Sequence, residues 1–392
     1  MKLELILLIL LITVFYSYIG YLCILLIFNS INSLFKKTDI NYSDLQPEVC
    51  LIVAAYNEEE FAEIKIKNTI SLNYPKEKLH QIWITDGSTD KTPSIIKNYS
   101  NITLLHQDKR EGKTAAINRA IKYVNAPIVI FSDANTLLST NTIFEIVKLF
   151  NNPSVGCVAG EKKILKQNRN NAVNSGEGLY WKYESILKNQ ESNFYSTIGA
   201  AGELFAIRTK LFEPIKTNTI LDDFEISLRI ALKGYKIKYT PKAYAIENAS
   251  TNIKEELKRK KRIAAGSYQT LFRLKKLLNP FHDSRLWFMY ISHKVLRWTI
   301  IPFSLPVILI LNSIIYLNCP NCINFFSITF YCQLLSYFFV LIGYLFRQKK
   351  IKYNFIYAPF YFVVMNISII IGFIRYINKT QTVLWEKSKR KI

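Results

Sequence analysis

The sequence predicts an α/β domain that apolar segments hold at a membrane. Between about residues 48 and 242, short apolar runs alternate with amphipathic helical patterns, which is typical of a parallel sheet covered by helices. Polar signatures follow three of the predicted strands, and ligands of such sheets bind at the carboxyl ends of the strands. Long apolar runs lie near both ends of the chain, and they are long enough to cross a bilayer.

The first apolar segment covers residues 5–28 and contains no charged residue. It is long enough to span a bilayer and too long for the apolar core of a cleaved signal peptide. We therefore expect a retained transmembrane anchor in residues 1–34. Lys36 and Lys37 follow this segment, and by the positive-inside rule they place the next domain in the cytoplasm.

Residues 45–280 are predicted to form the soluble domain. The predicted strands are residues 49–55, 81–85, 102–105 and 128–131, and the predicted helices between them are residues 59–72, 92–99 and 113–124. The polar groups that follow strands lie at residues 56–59, 86–90 and 133–135. Because the strands are expected to be parallel, we expect these three polar groups to share one edge of the sheet.

The C-terminal part of the chain is predicted to be associated with the membrane. A basic amphipathic helix, residues 254–278, could lie on lipid headgroups. Apolar stretches then lie at residues 298–317, 325–346 and 355–377, which together form the C-terminal membrane region 298–377, and a basic tail follows at residues 378–392. Four spans would put this tail outside, against the positive-inside rule. One segment is therefore expected to be interfacial or re-entrant, and the stretch that contains Pro359 is a candidate.

The net charge of +22 has two explanations. A partner that carries phosphate, such as nucleic acid or a nucleotide, would attract a basic protein. Anionic lipid would also attract a membrane protein with cationic flanks. Basic residues crowd the segment ends at residues 36–37, 258–262, 347–352 and 387–391, which favours the membrane. The sequence contains no nucleic-acid-binding motif, and we expect no nucleic-acid partner.

The cysteines and histidines form no metal framework in the sequence. Cys319-Pro-Asn-Cys322 has the spacing of a metal or redox site, but no second pair is present to complete a zinc site. A local disulfide between these two cysteines, outside the membrane, stays open as an alternative. The four histidines are scattered along the chain, and we assign them no catalytic role.

Two adjacent acids, Asp222 and Asp223, precede a predicted helix that begins at Phe224 and stops at Gly234. An aspartate at this position caps a helix, because it accepts hydrogen bonds from backbone N–H groups and complements the helix dipole. An aspartate that a rigid helix presents to a cleft is also suited to act as a catalytic base. This stretch alone leaves both interpretations open.

Three shorter signals fit a site for phosphate and nucleotide. In Asp86-Gly-Ser-Thr-Asp90 either acid could reach a base or ribose, although a turn explains the fragment equally well. In Asp133-Ala-Asn135 two oxygen-bearing side chains could hold a divalent cation between phosphates. Arg110-Glu-Gly-Lys113 could bring a cation and backbone N–H groups near phosphate, or it could simply be a basic helix start.

Six motifs occur in the order found in family 2 inverting glycosyltransferases. They are Ala54-Ala-Tyr-Asn-Glu58, Asp86-Gly-Ser-Thr-Asp90, Gly112-Lys-Thr-Ala-Ala-Ile-Asn118, Ser132-Asp-Ala-Asn135, Gly202-Glu-Leu-Phe-Ala-Ile-Arg208 and Leu221-Asp-Asp-Phe. The chain resembles the membrane-embedded branch that includes poly-N-acetylglucosamine, hyaluronan and cellulose synthases. The resemblance covers about residues 45–275 and extends more loosely to the C-terminal spans. It implies a GT-A fold, which is Rossmann-like, and a nucleotide-diphosphate sugar donor, usually a UDP-sugar.

The resemblance also implies which residues bind the donor. Ala54, Tyr56 and Glu58 match the first nucleotide-binding stretch of the family. Asp86 matches the acid that contacts uridine, and Lys113 matches a position that contacts the donor. These five residues are therefore expected to bind the nucleotide sugar.

The family's metal and base motifs have counterparts in this chain. Asp133 matches the first Asp of the Asp-x-Asp motif, which helps to bind the sugar nucleotide and a divalent metal, Mg²⁺ or Mn²⁺. The second member is Asn135 here, whose amide oxygen can ligate without charge. Asp223 matches the base of the Thr-Glu-Asp motif, and Asp222 takes the Glu position. A base of this kind deprotonates the acceptor hydroxyl while cationic groups stabilise the departing diphosphate.

The resemblance implies two further groups. Gly202 and Glu203 belong to the segment beside the acceptor sugar. The family's Gln-x-x-Arg-Trp motif corresponds to residues 259–263, in which Arg262 keeps the cation that contacts the diphosphate. Ile263 replaces the tryptophan that would stack on the acceptor sugar, and this puts processive polymerisation in doubt.

We expect an inverting hexosyl- or N-acetylhexosaminyl-transferase in the cell membrane, with several spans and a cytoplasmic catalytic domain, that builds an exopolysaccharide. The expected partners are a nucleotide-sugar donor, a glycan or lipid-linked acceptor, membrane lipids and accessory export proteins. One alternative is the transfer of a single sugar to a lipid carrier or glycolipid. Another is a non-catalytic membrane protein, such as a transporter or an assembly subunit, with a nucleotide-sensing domain. The apolar segments contain no internal charges that would mark a transport path, which argues against the last alternative.

Overall fold

The computed structural model describes residues 2–35, 46–165, 172–248, 253–318, 324–346 and 357–384. In these residues one mixed sheet has eight strands, β1 (Val49–Ala55), β2 (Leu79–Asp86), β3 (Thr103–Gln107), β4 (Ile128–Asp133), β5 (Thr136–Leu138), β6 (Val155–Leu165), β7 (Leu204–Arg208) and β8 (Lys236–Asn248). Their order across the sheet is β3-β2-β1-β4-β7-β6-β8-β5.

The helices of the described residues surround this sheet and extend beyond it. They are α1 (Lys2–Phe15), α2 (Tyr21–Phe35), α3 (Glu59–Ile70), α4 (Thr92–Lys97), α5 (Lys113–Ala120), α6 (Thr142–Val147), α7 (Ala172–Phe194), α8 (Asp222–Leu232), α9 (Ile253–Arg273), α10 (Ser284–Tyr290), α11 (Leu296–Trp298), α12 (Ile300–Asn318), α13 (Phe325–Leu345) and α14 (Tyr357–Ile377). Two π-helical segments, Tyr16–Gly20 and Ile291–Val295, join α1 to α2 and α10 to α11.

The first half of the sheet is parallel, as the alternating pattern predicts. Strand β1 pairs in parallel with β2 and β4, and β2 pairs in parallel with β3. Ala54 lies opposite both Ile84 and Asp133, so the polar groups after β1, β2 and β4 share one edge of the sheet. The site residues are therefore brought together by strand register.

The second half of the sheet differs from the predicted parallel arrangement. Strand β7 runs antiparallel to both β4 and β6, while β6 and β8 are parallel to each other. The apolar run in β7 is buried, and such a run indicates a strand without indicating its direction. That direction depends on the path of the long helix α7, which precedes β7 in the chain and returns it to the sheet.

Both faces of the sheet are covered. Alternate residues of β1 point to opposite faces, because the side chains of a strand alternate. Val49 and Leu51 belong to one buried cluster, which includes Ile66 of α3. Cys50 and Ile52 belong to the other, which includes Ile117 of α5. This two-sided burial explains why β1 reads as a continuous apolar run.

Within the part of the chain that the structure describes, four helices are long and apolar enough to cross a membrane. They are Lys2–Phe35, Ile300–Asn318, Phe325–Leu345 and Ala358–Ile377. The predicted basic clusters at residues 36–37, 347–352 and 387–391 lie outside the described residues, as do Cys319 and Cys322. The predicted topology, including the re-entrant alternative and the basic tail, therefore stays a prediction.

A buried charge cluster joins the N-terminal helix to the rest of the protein. Glu184 of α7 lies 3.2 Å from His293 Nε2, 3.4 Å from Lys294 Nζ and 3.1 Å from Arg297 Nη1. Arg297 Nη2 also donates to the backbone oxygen of Ser17, at 2.7 Å. The two π-helical segments meet here, because Tyr16 Oη lies 2.6 Å from Ser292 Oγ. An apolar helix is thus fixed by polar contacts.

Replacement of Arg297 by leucine should lower the free energy of unfolding by about 3–5 kcal/mol, because it removes one partner of a buried ion cluster. The measurement is the unfolding midpoint of the protein purified in detergent. Lys67→Leu is the control. It removes an exposed pair with Glu63, at 2.7 Å, and should leave the midpoint almost unchanged because exposed pairs contribute little. Equal midpoints for the two variants would contradict a structural role for the cluster.

Candidate active site

A large cleft lies at the carboxyl ends of β1 and β4, with a volume of about 1110 Å³. The predicted site residues that line it are Glu58, Lys113, Asp133, Asn135, Gly202, Glu203, Asp222, Asp223 and Arg262. Ala54, Tyr56 and Asp86 are not among its lining residues. The structure thus brings together most of the residues that the motifs single out, from six separate parts of the chain.

One ammonium group, on the Lys113 side chain, which is 23% exposed, lies at the centre of the cleft. Lys113 Nζ lies 2.7 Å from Asp133 Oδ1 and 3.9 Å from Asp222 Oδ2. Lys113 begins α5, Asp133 ends β4 and Asp222 begins α8. Burial lowers the pKa of the lysine, but the surrounding carboxylates, including Asp223, outweigh this effect and leave the pKa above its usual range. The lysine therefore stays charged.

Asp223 is the acid whose protonation is most changed by this arrangement. Burial raises the pKa of Asp223 to about 7, the adjacent Asp222 carboxylate contributes to the rise, and Lys113 opposes it. Helix α8 begins at Asp222 with Leu221 at the N-cap position, so neither acid is the N-cap residue. A carboxylate with a pKa near neutrality is suited to take a proton from a substrate.

Among the described residues, the buried polar atoms Asn135 Oδ1, Asp222 Oδ2 and Arg262 Nε on the cleft wall have no hydrogen-bond partner. Buried polar groups are usually hydrogen-bonded, so their clustering in one cleft indicates a polar ligand. Among the described residues, no group of three or more His, Cys, Asp or Glu side chains could hold a metal alone. A cation bound near Asn135 would therefore need oxygen atoms from the ligand as well.

Arg262 reaches the cleft from α9. Its Nη2 donates to the backbone oxygen of Ile220, at 3.1 Å. Burial lowers the pKa of Arg262, and the nearby acids of the cleft oppose this shift. A Cβ atom on Gly266 would lie 2.6 Å from Leu221, so the small residue lets α9 approach the start of α8 closely. Arg262 is thereby held near Asp222 and Asp223.

Glu203 lines the cleft but is engaged in an ion pair that sequence reasoning missed. Lys162 of β6 bridges Glu203 and Glu247. Although burial raises the pKa of Glu203, its pairing with Lys162 outweighs this effect and holds the pKa well below the usual range. Lys162 belongs to a strand-like run without a recognisable motif, so the sequence carried no signal for this contact.

Asp86 does not line the cleft but stabilises the loop that precedes Lys113. Its two carboxylate oxygens accept hydrogen bonds from the backbone N–H of Gly112, at 2.6 Å, and of Glu111, at 3.0 Å. These bonds fix the loop that leads to Lys113. In the same loop the Arg110 guanidinium lies 3.7 Å from the centre of the Tyr56 ring. The ends of β1 and β2 therefore position the loop from which the central lysine extends.

Residues 50–215 match the family model described as "Glycosyl transferase family 2". The chain therefore contains a family 2 glycosyltransferase domain. A poly-beta-1,6-N-acetyl-D-glucosamine synthase of Staphylococcus aureus (strain COL) is 28% identical over 253 residues, which are 62% of this chain and 59% of that relative. The synthase of the same name from Staphylococcus epidermidis is 27% identical over 235 residues, 57% of this chain and 56% of that relative. The matches thus cover less than two thirds of these relatives.

A solved mannosyltransferase from Pyrobaculum calidifontis, in complex with GDP-Man and Mn²⁺, has a similar fold. Its TM-score is 0.71 at 21% sequence identity, over 96% of this chain and 99% of that one. At this identity the likeness concerns the fold alone. It confirms the GT-A architecture that the motifs imply. The family 2 glycosyltransferase domain identifies the chain as an enzyme.

The glycosyltransferase cleft has walls that the motifs did not predict. Trp181 of α7 and Trp298 of α11 line it, and so does the segment after α14, with Gln381 and Leu384. Leu384 comes within 3.7 Å of the position that a Cβ atom on Gly112 would occupy. Aromatic clusters in α7 were visible in the sequence, but the contact of a C-terminal segment with the lysine loop depends on chain path and had no sequence signal.

Gly199→Ala should lower kcat by about tenfold or more. A Cβ atom at Gly199 would lie 2.2 Å from the Phe224 ring, and displacement of Phe224 moves the adjacent Asp223. Gly234→Ala is the matched control, because both glycines have a positive φ, 82° and 86°, but no atom lies within 4 Å of the new methyl group at position 234.

Both variants carry the same backbone strain, about 1–2 kcal/mol, so only the clash with Phe224 distinguishes them. The measurement is the rate of nucleoside-diphosphate release from a sugar-nucleotide donor, together with the unfolding midpoint of each variant. Equal rates in the two variants would show that the position of Phe224 does not control the reaction.

Proposed function

We propose that this glycosyltransferase moves a sugar from a nucleoside-diphosphate sugar, in particular a UDP-sugar, to a glycan acceptor at the cytoplasmic face of the membrane, as a step of exopolysaccharide synthesis. Two similar relatives are named as poly-beta-1,6-N-acetyl-D-glucosamine synthases, which supports a polysaccharide acceptor. The four apolar helices support a membrane location. The observation that carries the proposal is Asp223, a partly exposed acid on the cleft wall whose pKa is raised beside Lys113 and Asp222.

The donor's diphosphate fits the polar wall of the cleft. In this proposal Asp133 and Asn135 hold a divalent cation, and the buried unpartnered Oδ1 of Asn135 suits a hard cation, which prefers oxygen ligands. Such a cation, Mg²⁺ or Mn²⁺, would neutralise charge that develops on the leaving diphosphate. A GT-A protein of similar fold has been solved with Mn²⁺ and GDP-Man.

A count of charges supports the same arrangement. Lys113 and Arg262 bring two positive charges to the cleft, and the three aspartates bring three negative charges when all are ionised. A diphosphate adds about two more negative charges, so the residues of the cleft alone would repel the donor. A divalent cation would restore the balance, and in this proposal Arg262 contacts the diphosphate.

The proposed reaction is a single displacement. The Asp223 carboxylate takes the proton of the acceptor hydroxyl as the hydroxyl oxygen attacks the anomeric carbon of the donor sugar. The new glycosidic bond forms while the bond to the diphosphate breaks, and the nucleoside diphosphate leaves with the bonding electrons. Attack from the side opposite to the leaving group inverts the anomeric carbon. Asp222 keeps the pKa of Asp223 high, which makes it a stronger base.

Other predicted roles belong to the same proposal. Ala54, Tyr56 and Glu58 are proposed to bind the nucleotide, and Glu58 is buried on the cleft wall. Asp86, which fixes the loop before Lys113, is proposed to contact uridine, because a carboxylate can accept further hydrogen bonds beside those from the backbone of Glu111 and Gly112. Gly202 would bring the acceptor close to the base, because a Cβ atom there would lie 3.3 Å from Asp223 Oδ2.

A second candidate function is the transfer of one sugar to a lipid carrier or glycolipid. Two observations favour it. Ile263 stands on the cleft wall where the resemblance places a tryptophan, and a second cavity borders this residue on the side of the apolar helices. The size of the product distinguishes the two functions.

The protein in lipid nanodiscs, with Mg²⁺ or Mn²⁺ and a panel of nucleoside-diphosphate sugars, should release nucleoside diphosphate and add sugar to an acceptor. Asp223→Asn should lower the rate by about 10²–10⁴-fold, the range for the loss of a general base. Asp108→Asn, at a fully exposed acid, is the control and should have the wild-type rate. Equal rates for Asp223→Asn and wild type would remove Asp223 as the base.

The pH profile of kcat/KM should report the raised pKa of Asp223. Below about pH 7 the carboxyl is protonated and cannot accept a proton, so the rate should fall about tenfold per pH unit on the acidic side. Asp222→Asn removes a neighbouring negative charge and should move the profile to lower pH. A profile that is flat between pH 5 and 8 would contradict this assignment.

A further inference from the structure

A second cavity of about 270 Å³ lies beside the cleft. It is enclosed by α7, α9, α14, the π-helical turn at Tyr16–Gly20 and the segment around Arg297. Its wall is mostly aromatic and aliphatic, with Tyr18, Tyr183, Trp298, Tyr361, Phe362 and Ile369 among the lining side chains. Neither the sequence motifs nor the comparisons assign it a ligand.

The charged groups on the wall of this cavity are paired with one another. Arg297 donates to Glu184, to Tyr183 and to the backbone of Ser17. Tyr183 Oη in turn donates to the backbone oxygen of Tyr18, at 2.7 Å. These bonds engage Arg297, Glu184 and Tyr183 with one another, and the surface left for a ligand is mainly aromatic and aliphatic.

The hydrogen bonds among these wall residues favour a hydrocarbon chain over a sugar as the ligand of the cavity. A sugar presents several hydroxyl groups, and each one buried without a partner is unfavourable. Asn366 Oδ1 is the buried wall atom that has no hydrogen-bond partner among the described residues, and one acceptor does not satisfy a sugar ring. A hydrocarbon chain needs no hydrogen bonds and gains from burial. The wall therefore suits an apolar chain.

The cavity and the cleft share part of their walls. Tyr180, Ile263 and Trp298 line both. The Trp298 ring lies 5.6 Å from the Phe224 ring, centre to centre, and Phe224 follows Asp223 directly in the chain. A ligand whose apolar part lies in the cavity could therefore place its polar end on the base side of the cleft.

The other side of the cavity belongs to helices that are long and apolar enough to cross a membrane. Tyr18 lies in the N-terminal helix Lys2–Phe35, and Phe362 and Ile369 lie in Ala358–Ile377. A lipid in the bilayer would meet these helices first. Its chain would then have a short path from the bilayer to the cavity, and its head would have a short path to the cleft.

We propose that the second cavity binds the hydrocarbon chain of a lipid-linked acceptor, with the acceptor hydroxyl or phosphate of its head in the cleft near Asp223. The proposal rests on the proposed glycosyltransferase function and names the class of acceptor, whether one sugar or many are added. An isoprenoid phosphate and a glycolipid share the required chemistry, which is a single apolar chain with a polar head. A water-soluble glycan does not.

The test uses the whole protein in nanodiscs and a photoactivatable farnesyl phosphate that carries a diazirine on its chain. Labelled peptides are mapped by mass spectrometry. Label is expected on α7 near Tyr180 and Tyr183 and on α14 between Tyr361 and Ile369, rather than on α13. Unlabelled farnesyl phosphate should compete, whereas dimethylallyl phosphate, which has the same head and a short chain, should not.

The variants form a matched set on one helix. Ile369→Trp places a large ring in the cavity and should lower specific labelling at least fivefold. Ile367→Trp is the control, because Ile367 is exposed and does not line the cavity. The specific labelling of this variant should equal that of the wild type. Ala358→Trp, at an exposed residue of the cavity mouth, should also lower labelling. The unfolding midpoint of each variant shows whether it folds.

Several outcomes would overturn the proposal. One is that α13 is labelled as strongly as α7 and α14. Another is that dimethylallyl phosphate competes as well as farnesyl phosphate, or that the water-soluble glycan chitotetraose competes while farnesyl phosphate does not. The last is that Ile369→Trp and Ala358→Trp fold and are labelled as strongly as the wild type. Labelling requires neither donor nor turnover. If Asp223→Asn releases nucleoside diphosphate as fast as wild type, the proposed base fails while the labelling result stands, so failure of the lipid site and failure of the catalytic proposal are distinguishable.

Discussion

The cleft depends on one partly exposed cation, Lys113. Lys113 lies 2.7 Å from Asp133 and 3.9 Å from Asp222, and two unit charges at the longer distance attract by about 4 kcal/mol at an effective dielectric constant of about 20. This attraction holds the end of β4 against the starts of α5 and α8, which are distant in sequence. The lysine is shared among several acids, so it does not fully offset the burial of Asp223. The pKa of Asp223 stays raised for that reason.

A membrane helix contributes to the same geometry. Helix α9, which presents Arg262, lies between α8 and α14. A Cβ atom on Gly266 would lie 2.6 Å from Leu221, and one on Gly372 would lie 2.3 Å from Ala264. Both glycines are needed for close approach of the backbones. The position of the cleft's arginine is therefore set on one side by α8 and on the other by the long apolar helix α14.

The sequence predicted the parallel half of the sheet and most of the cleft, because strand patterns and local motifs are short-range signals. Asp133 ends a strand and Lys113 begins a helix, and strand register alone brings their elements to one edge. The contacts that the sequence did not predict are long-range. Lys162 reaches Glu203 across neighbouring strands, and the direction of β7 follows from the path of α7. Apolar runs and single lysines carry no information about such partners.

Position 263 illustrates the limit of motif transfer. The family motif places a tryptophan there, and its absence alone would suggest that no ring lies near the acceptor. In the folded chain Trp298 approaches the same region from another element and lines the cleft together with Ile263. An aromatic surface near Phe224 thus survives the loss of the motif residue. The replacement of the tryptophan changes the part of the wall that the cleft shares with the second cavity, where Ile263 is the smaller side chain. Residue 263 alone therefore does not decide whether the cleft has an aromatic wall near Phe224.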